Sequence, residues 1–497
     1  MGVTVAPFEC WFFAWVALAP LWIIVVKHTS PHLPILPALI WAIAYHGIAL
    51  FWITGIHPMN WLGVPWWPSL FITIFCWTFI SLWGGLLVSL WAFLMVRLDK
   101  QKPWLRVLIG TALWCGLEGL WSSGSLWWSS LSYTQSPHNL LILHLGQLSG
   151  PSAVTAVIVG VNGLVAESWI YFGTQRRRDA EEERRIYVSL GFVNKYLTSA
   201  VILLVISHVL GFILYSQPLN SQEGSGLKIG VIQGNIPNEI KILPQGSRIA
   251  IRNYTDGYLE LANQGVDGVL TPESALPLYN SDFDQIRLLN DIKEKKVVAW
   301  LGAFGRTGKS YTNSLFSVNG EGEVTSRYDK SKLVPLGEFV PFEEIIGGLV
   351  ERLSPLDEHQ IHGDKNQVFY TPLGRAIVGI CYESAFAEIF RYQAANGGEF
   401  ILSSSNDAHY TQAMADQHHA QDIMRAIETD RWAVRATNTG YSAFVDPHGI
   451  TLWKSGYNSY ETHAEVIYPR QSRTFYVRFG DWLMVVLLVL GVLGWLI

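Results

Sequence analysis

Two patterns divide the chain. Long unbroken apolar runs fill the beginning and the end, and short β-branched runs separated by polar, helix-forming stretches fill the middle. Runs long enough to cross a bilayer, about 20 residues, lie near 8–26, 33–54, 67–96, 104–121, 149–173, 197–216 and 477–497. This predicts a bundle of six spans over 1–217, a polar domain over 218–476 and a closing span over 477–497. The run at 67–96 exceeds one crossing and is expected to tilt or project. The stretch 122–148 carries SSGS, WWSS and SPHN and reads as a loop dipping into the interface. No basic residue precedes the first run and no small-residue cleavage site goes with it, so it reads as an anchor.

The middle segment is α/β. LKIGVIQGNI (227–236) predicts a strand entering a Gly-Asn turn, and 248–264 predicts a helix. GVDGVLTPES (265–274) gives a strand ending at Thr271, KVVAWLGAF (296–304) a third, and 311–334 a hairpin around Asn319 and Gly320. Residues 376–380 form an apolar strand that stops at Cys381, and EFILSSSN (399–406) forms another. A helix is predicted over 418–429, then two strands over 433–455 with a Pro-His-Gly turn. Strands alternating with helices predict one layered α/β domain, large enough for an enzyme core.

Composition sharpens the membrane reading. Half the 497 residues are hydrophobic and only 15% are charged, against roughly 25% in soluble chains. The 22 tryptophans suit bilayer interfaces. A net charge of −5 without a basic block gives no reason to expect nucleic acid. Cys10, Cys76, Cys115 and Cys381 have neither zinc-ligand spacing nor a disulfide framework. The first three lie in apolar runs and read as packing residues; Cys381 lies in polar sequence.

Basic residues set the expected orientation. Lys27 follows the first run, Arg97, Lys100 and Lys102 the third, and Arg176, Arg177, Arg178, Arg184 and Arg185 the fifth. The loops after the second and fourth runs have neither Lys nor Arg. The polar domain is therefore expected outside the cytoplasm. Trp61, Trp66, Trp67, Trp127 and Trp128 fall in the two outer loops, as interfacial anchors or as the lining of an acyl-chain entrance. Glu118 lies within the fourth run, either as a functional intramembrane carboxylate or as a partner for polar loop groups.

The candidate chemistry sits at strand ends. In GRAIVGICYES (374–384), Cys381 stands at a strand-to-helix turn, where N–H groups favour a thiolate. A nucleophile and a buried packing cysteine both fit that position. Glu273 and Lys330 also follow strands. A carboxylate can take the thiol proton, and a lysine can steady both the thiolate and a carbonyl oxyanion. Taken singly, Glu273 also reads as a helix-start carboxylate and Lys330 as a surface hairpin lysine.

TPESALP (271–277), YDKSKLVPLGEFVPFE (328–343) and GICYES (379–384) resemble the three catalytic blocks of the nitrilase superfamily. The long lysine block, within this membrane layout, resembles the apolipoprotein N-acyltransferase family in particular. VIQGNIP (231–237), SNDA (405–408), MRAIETDR (424–431) and RATNTG (435–440) also fit that pattern, and LWWSSLSYTQS (126–136) resembles the loop beside its active site. The resemblance implies an αββα sandwich with Glu273 as general base, Lys330 as oxyanion-stabilising lysine and Cys381 as nucleophile. It implies support from Glu338, Tyr382 and Glu383, which also read as a hairpin carboxylate, a packing ring and a helix cap. It implies acyl transfer from a phospholipid, through a thioester, to the α-amine of a diacylglyceryl-modified apolipoprotein, without metal or other cofactor. The setting implied is the bacterial inner membrane, with the catalytic domain on the periplasmic side; a monomer is expected. Three positions depart from the family: Lys332 for its usual His, His409 for an aromatic and Ile242 for Trp. The family also often carries a further N-terminal span. Two other readings are a tethered amidase acting on a small amide, and a transporter or sensor with an inert binding domain. The last predicts paired polar groups inside the spans, and the sequence suggests few.

Overall fold

A computed structural model describes residues 1–27, 34–181, 194–219, 226–241, 243–308, 310–335, 337–339 and 360–496. Ile242, Arg184 and Arg185 lie outside the described residues, as do the side chains of Arg176, Arg177 and Arg178.

The polar segment builds twelve strands among the described residues: β1 (Leu227–Gln233), β2 (Gly268–Leu270), β3 (Val298–Thr307), β4 (Ser310–Val318), β5 (Val324–Asp329), β6 (Phe369–Thr371), β7 (Gly374–Ile380), β8 (Phe400–Ser405), β9 (Ala433–Thr437), β10 (Ala443–Val445), β11 (Thr451–Lys454) and β12 (Glu461–Ile467). They form two six-stranded sheets, ordered β12-β1-β2-β3-β4-β5 and β11-β10-β9-β8-β7-β6. Side chains alternate across each strand. In β7, Ala376, Val378 and Ile380 face the other sheet, where Val231, Leu270, Trp300 and Leu315 meet them. Ile377 faces outward onto Phe390 and Ile423. Helices Pro244–Asn263 and Arg287–Lys295 cover the outer face of the first sheet. Helices Ala387–Ala395 and Gln412–Thr429 cover that of the second. The result is the αββα sandwich.

Strand direction gathers the candidate chemistry at one rim. β1, β2 and β3 are parallel, as are β7, β8 and β9. β4 runs against β3, and β5 against β4, so β5 ends on the same side as β2. Glu273 and Lys330 therefore leave the first sheet together. Over 433–455 the chain makes three strands where the sequence predicts two, because Gly440, at φ 99°, turns it between β9 and β10. The last long helix begins at Gln412, before the predicted 418.

In the apolar part, Trp66–Leu98, Pro151–Thr174 and Lys195–Tyr215 are long and apolar enough to cross a membrane. Pro103–Ser123 adds a 21-residue helix and Trp482–Leu496 one of 15 residues. The first predicted span is broken into a 3-10 turn, Trp11–Trp15, and a helix, Ala19–Lys27. Asn162 holds the break: its Oδ1 accepts from Leu18 and Ala19 N–H at 2.9 and 3.0 Å, and its Nδ2 donates to the Ala14 carbonyl at 2.8 Å. A buried ion pair also joins two of these helices, Arg106 Nη2 to Glu167 Oε2 at 2.5 Å. The sequence reading did not find that pair.

The stretch 122–148 forms no long helix, and its residues 127–128 and 130–136 are buried between bundle and sandwich. Glu118 accepts from Leu131 N–H at 2.9 Å and Ser130 Oγ at 3.1 Å. Tyr133 Oη donates to the Ala385 carbonyl at 3.0 Å, and Ser136 Oγ to that of Ala420 at 2.7 Å. Polar groups removed from water need such partners, and here both halves of the chain supply them.

Candidate active site

β7 ends at Ile380, and Cys381 turns the chain into a short 3-10 segment, Cys381–Ala385, at φ 51°. A non-glycine residue is uncommon in that region and must be held there. Two groups hold it. Glu383, fully buried, accepts the Ile380 N–H at 2.8 Å, the Ser331 N–H and Oγ at 2.7 Å each, and the Tyr328 hydroxyl at 3.2 Å. His418 Nε2 donates to the Cys381 carbonyl at 2.8 Å, and its Nδ1 lies 3.1 Å from Asp407 Oδ1. Arg435 braces Asp407 at 3.2 Å.

Glu273 sits after β2, beside Ser274 at φ 48°. The loop presses against β3, where only a glycine fits: a Cβ on Gly302 would stand 1.9 Å from the Pro272 carbonyl oxygen. Glu273 Oε1 accepts from Lys330 Nζ and from Asn313 Nδ2, both at 2.7 Å. Lys330 Nζ also donates to Glu338 Oε1 at 2.8 Å, and Asn313 Nδ2 reaches the same oxygen at 3.3 Å. Lys330 is 1% exposed. Burial works against its ammonium, but the carboxylates of Glu273 and Glu338 hold it well above the usual lysine value. An ammonium has three donors; among the described residues, two are used here.

Cys381 is 5% exposed. Burial pushes its thiol well above the ordinary value, Glu273 pushes the same way, and Lys330 opposes both. The rim thus brings a protonated thiol, a carboxylate and a charged lysine within electrostatic reach of one another. Cys381, Asp407 and His418 also place sulfur, oxygen and nitrogen within 4.8 Å, a spacing a metal could use. Both His418 nitrogens are already engaged, by Asp407 and the Cys381 carbonyl, so the group reads as a hydrogen-bonded brace.

Residues 229–468 match the carbon-nitrogen hydrolase family, and residues 1–164 match the apolipoprotein N-acyltransferase N-terminal domain. The apolipoprotein N-acyltransferase of Nostoc sp. is 64% identical, with 100% of this chain and 97% of that protein covered. The chain belongs to the apolipoprotein N-acyltransferase family. That of Synechocystis sp. is 44% identical, covering 100% of this chain and 98% of that one. Among solved structures, an amidase from Nesterenkonia sp. aligns at 18% identity and a TM-score of 0.40, over 54% of this chain and 98% of that one.

Two of the positions that depart from the family pattern make contacts across the fold. Lys332 Nζ donates to the carbonyls of Ser123 and Gly124 at 3.2 and 3.0 Å and lies 4.5 Å from the Phe386 ring centre. His409 stacks on Trp61 at 5.1 Å. Burial, with Lys241 adding to it, lowers the His409 imidazole to about 4. Tyr382 turns toward the bundle: its hydroxyl donates to the Ser125 carbonyl at 2.7 Å and accepts the Trp127 N–H at 2.9 Å, while its ring stacks on Trp128. Trp127 and Trp128 are buried against this turn and are not interfacial anchors. Asn313, Lys241 and the Asp407–His418 pair escaped the sequence reading. Asn313 reads there as one more polar residue of a hairpin strand, and SNDA gave the only signal for Asp407.

Proposed function

We propose that this chain transfers a fatty acyl group from a phospholipid to the α-amine of a diacylglyceryl-cysteine apolipoprotein, through a thioester on Cys381. The observation that carries the reading is the lysine shared between Glu273 and Glu338 beside a buried cysteine in a strained turn, in a chain 64% identical to a named family member. Glu273 takes the proton from Cys381 Sγ as the sulfur attacks the ester carbonyl. The third Lys330 donor faces the oxyanion. The C–O bond breaks, Glu273 returns the proton to the leaving alkoxide, and a lysophospholipid departs. The acceptor amine then attacks the thioester, Glu273 takes its proton, and the thiolate leaves and is reprotonated. Glu338 holds Lys330, Glu383 holds the cysteine turn, and Tyr382 docks that turn on the bundle.

In this reading 1–217 and 477–497 are embedded in the bacterial inner membrane. Residues 218–476 form the catalytic domain on the periplasmic side, and the chain acts as a monomer. The reaction as written uses no cofactor. Incubation with labelled phospholipid should leave a mass increment of one acyl chain on Cys381, discharged by a diacylglyceryl-cysteine peptide and absent in C381S. An adduct that water discharges as fast as the peptide does would make the chain a hydrolase.

A further inference from the structure

Lys241 ends the short helix Asn238–Lys241, which follows β1 at the same rim as Glu273 and Cys381. This helix packs on the 3-10 turn Asn60–Leu62 of the bundle. Trp61 of that turn stacks on His409, and Lys241 acts electrostatically on the His409 ring. Lys241 as a residue is half-buried. Its hydrogen bond among the described residues goes to the Glu273 carbonyl at 3.5 Å, beyond the usual range for such a bond. Among the described residues no carboxylate lies within ion-pair distance of it. Burial draws its ammonium down to about 8, while Glu273 and Cys381 pull the other way. A cation held at a reaction rim without an anion is a place for a ligand's anion.

We propose that Lys241 binds the phosphodiester of the acyl donor and so selects phospholipids over neutral glycerides. This rests on the acyltransferase reading. In a phosphoglyceride the phosphodiester lies a few bonds along the glycerol from the ester carbonyl that Cys381 attacks. An ammonium within electrostatic reach of the cysteine therefore meets the phosphate when the ester is in place. The diacylglyceryl end of the acceptor carries no phosphate, so the contact belongs to the first half-reaction.

The test measures kcat/KM for acylation of Cys381 in the full chain, with a diacyl phosphoglyceride and with the diacylglycerol bearing the same chains. Wild type should prefer the phosphoglyceride. K241Q should lose roughly ten- to a hundredfold of that preference, and K241R should keep most of it. An unchanged preference in K241Q, or an equal fall with both donors, overturns the inference. So does a defect confined to discharge of the preformed thioester by the peptide. Wild type that is acylated by neither donor sinks the acyltransferase reading itself, an outcome distinct from these.

Discussion

Glu383 Oε1 accepts both the backbone N–H and the hydroxyl of Ser331, each at 2.7 Å. One carboxylate thereby fastens the turn that carries Cys381 to the turn that carries Lys330, across the gap between the two sheets. Its second oxygen takes the Ile380 N–H, so each oxygen faces a donor. Glutamine would turn one acceptor into a donor and leave a buried N–H unmatched, at about 1–3 kcal/mol. E383Q should show a lowered denaturation midpoint in detergent and acylation of Cys381 slowed at least tenfold. A variant with wild-type rate and midpoint would mean that the two turns find their positions without this link.

Glu273 has two opposing effects on the thiol, and they can be separated. Its charge raises the Cys381 pKa, second only to burial, yet in the proposed reaction it serves as the base that removes the proton during attack. Removing the charge should therefore move the pH dependence of alkylation by iodoacetamide downward in E273Q. In the wild type that rate should climb through pH 9 without levelling. Acylation by phospholipid should fall in E273Q by roughly a hundred- to ten-thousandfold. A slower alkylation in E273Q at every pH would contradict the assigned electrostatics.

Lys330 separates two carboxylates that share Asn313. In K330M nothing balances them, and loss of one member of a buried ion set costs about 3–5 kcal/mol. The sign of the pH dependence follows. The raised lysine value means its stabilisation is complete below the ordinary lysine range and lost only as pH climbs through the raised value. Between pH 6 and 9 the wild type should not lose it. The variant should recover on the acid side, where one carboxylate takes up a proton. Denaturant midpoints should thus differ most near pH 9 and converge toward pH 5. A gap that widens on acidification would be inconsistent with this ion set.

The sequence shows what depends on period and length, and hides what depends on burial from a second body. The long apolar helices Trp66–Leu98, Pro151–Thr174 and Lys195–Tyr215, the apolar strand β7 and the rim placement of Glu273, Lys330 and Cys381 all follow from local pattern. Helix Gln412–Thr429 follows from it only in part, as a helix from 418. Its polar Gln417, His418, Asp422, Arg425 and Glu428 are all buried because the bundle and stretch 122–148 cover them, which no local pattern signals. Arg106 and Glu167 lie 61 residues apart, on the helices that begin at Pro103 and Pro151, and look unpaired until those helices pack. β6 and β12, edge strands with weak alternation, gave no signal of their own.

Lys332 and Tyr382 clasp one short piece of the bundle between them. Lys332 takes the carbonyls of Ser123 and Gly124, where a helix ends and its carbonyls lack partners. Tyr382 takes the carbonyl of Ser125 and the N–H of Trp127. Both side chains also touch Phe386, Lys332 over its face and Tyr382 edge-on at 5.1 Å. One short segment held at neighbouring points by two groups that share a third should show coupled losses. K332A and Y382F should each raise hydrogen exchange over 123–128 and slow acylation several-fold. The double variant should differ from the sum of the singles by about 0.5–3 kcal/mol. Histidine, the family's usual residue, has a shorter reach and is largely neutral above its ordinary pKa of about 6.5. K332H should therefore resemble K332A at pH 8 and regain part of the contact at pH 6. Strict additivity would mean that the bundle meets the cysteine turn at two independent points, and that the lysine compensates for nothing at Tyr382.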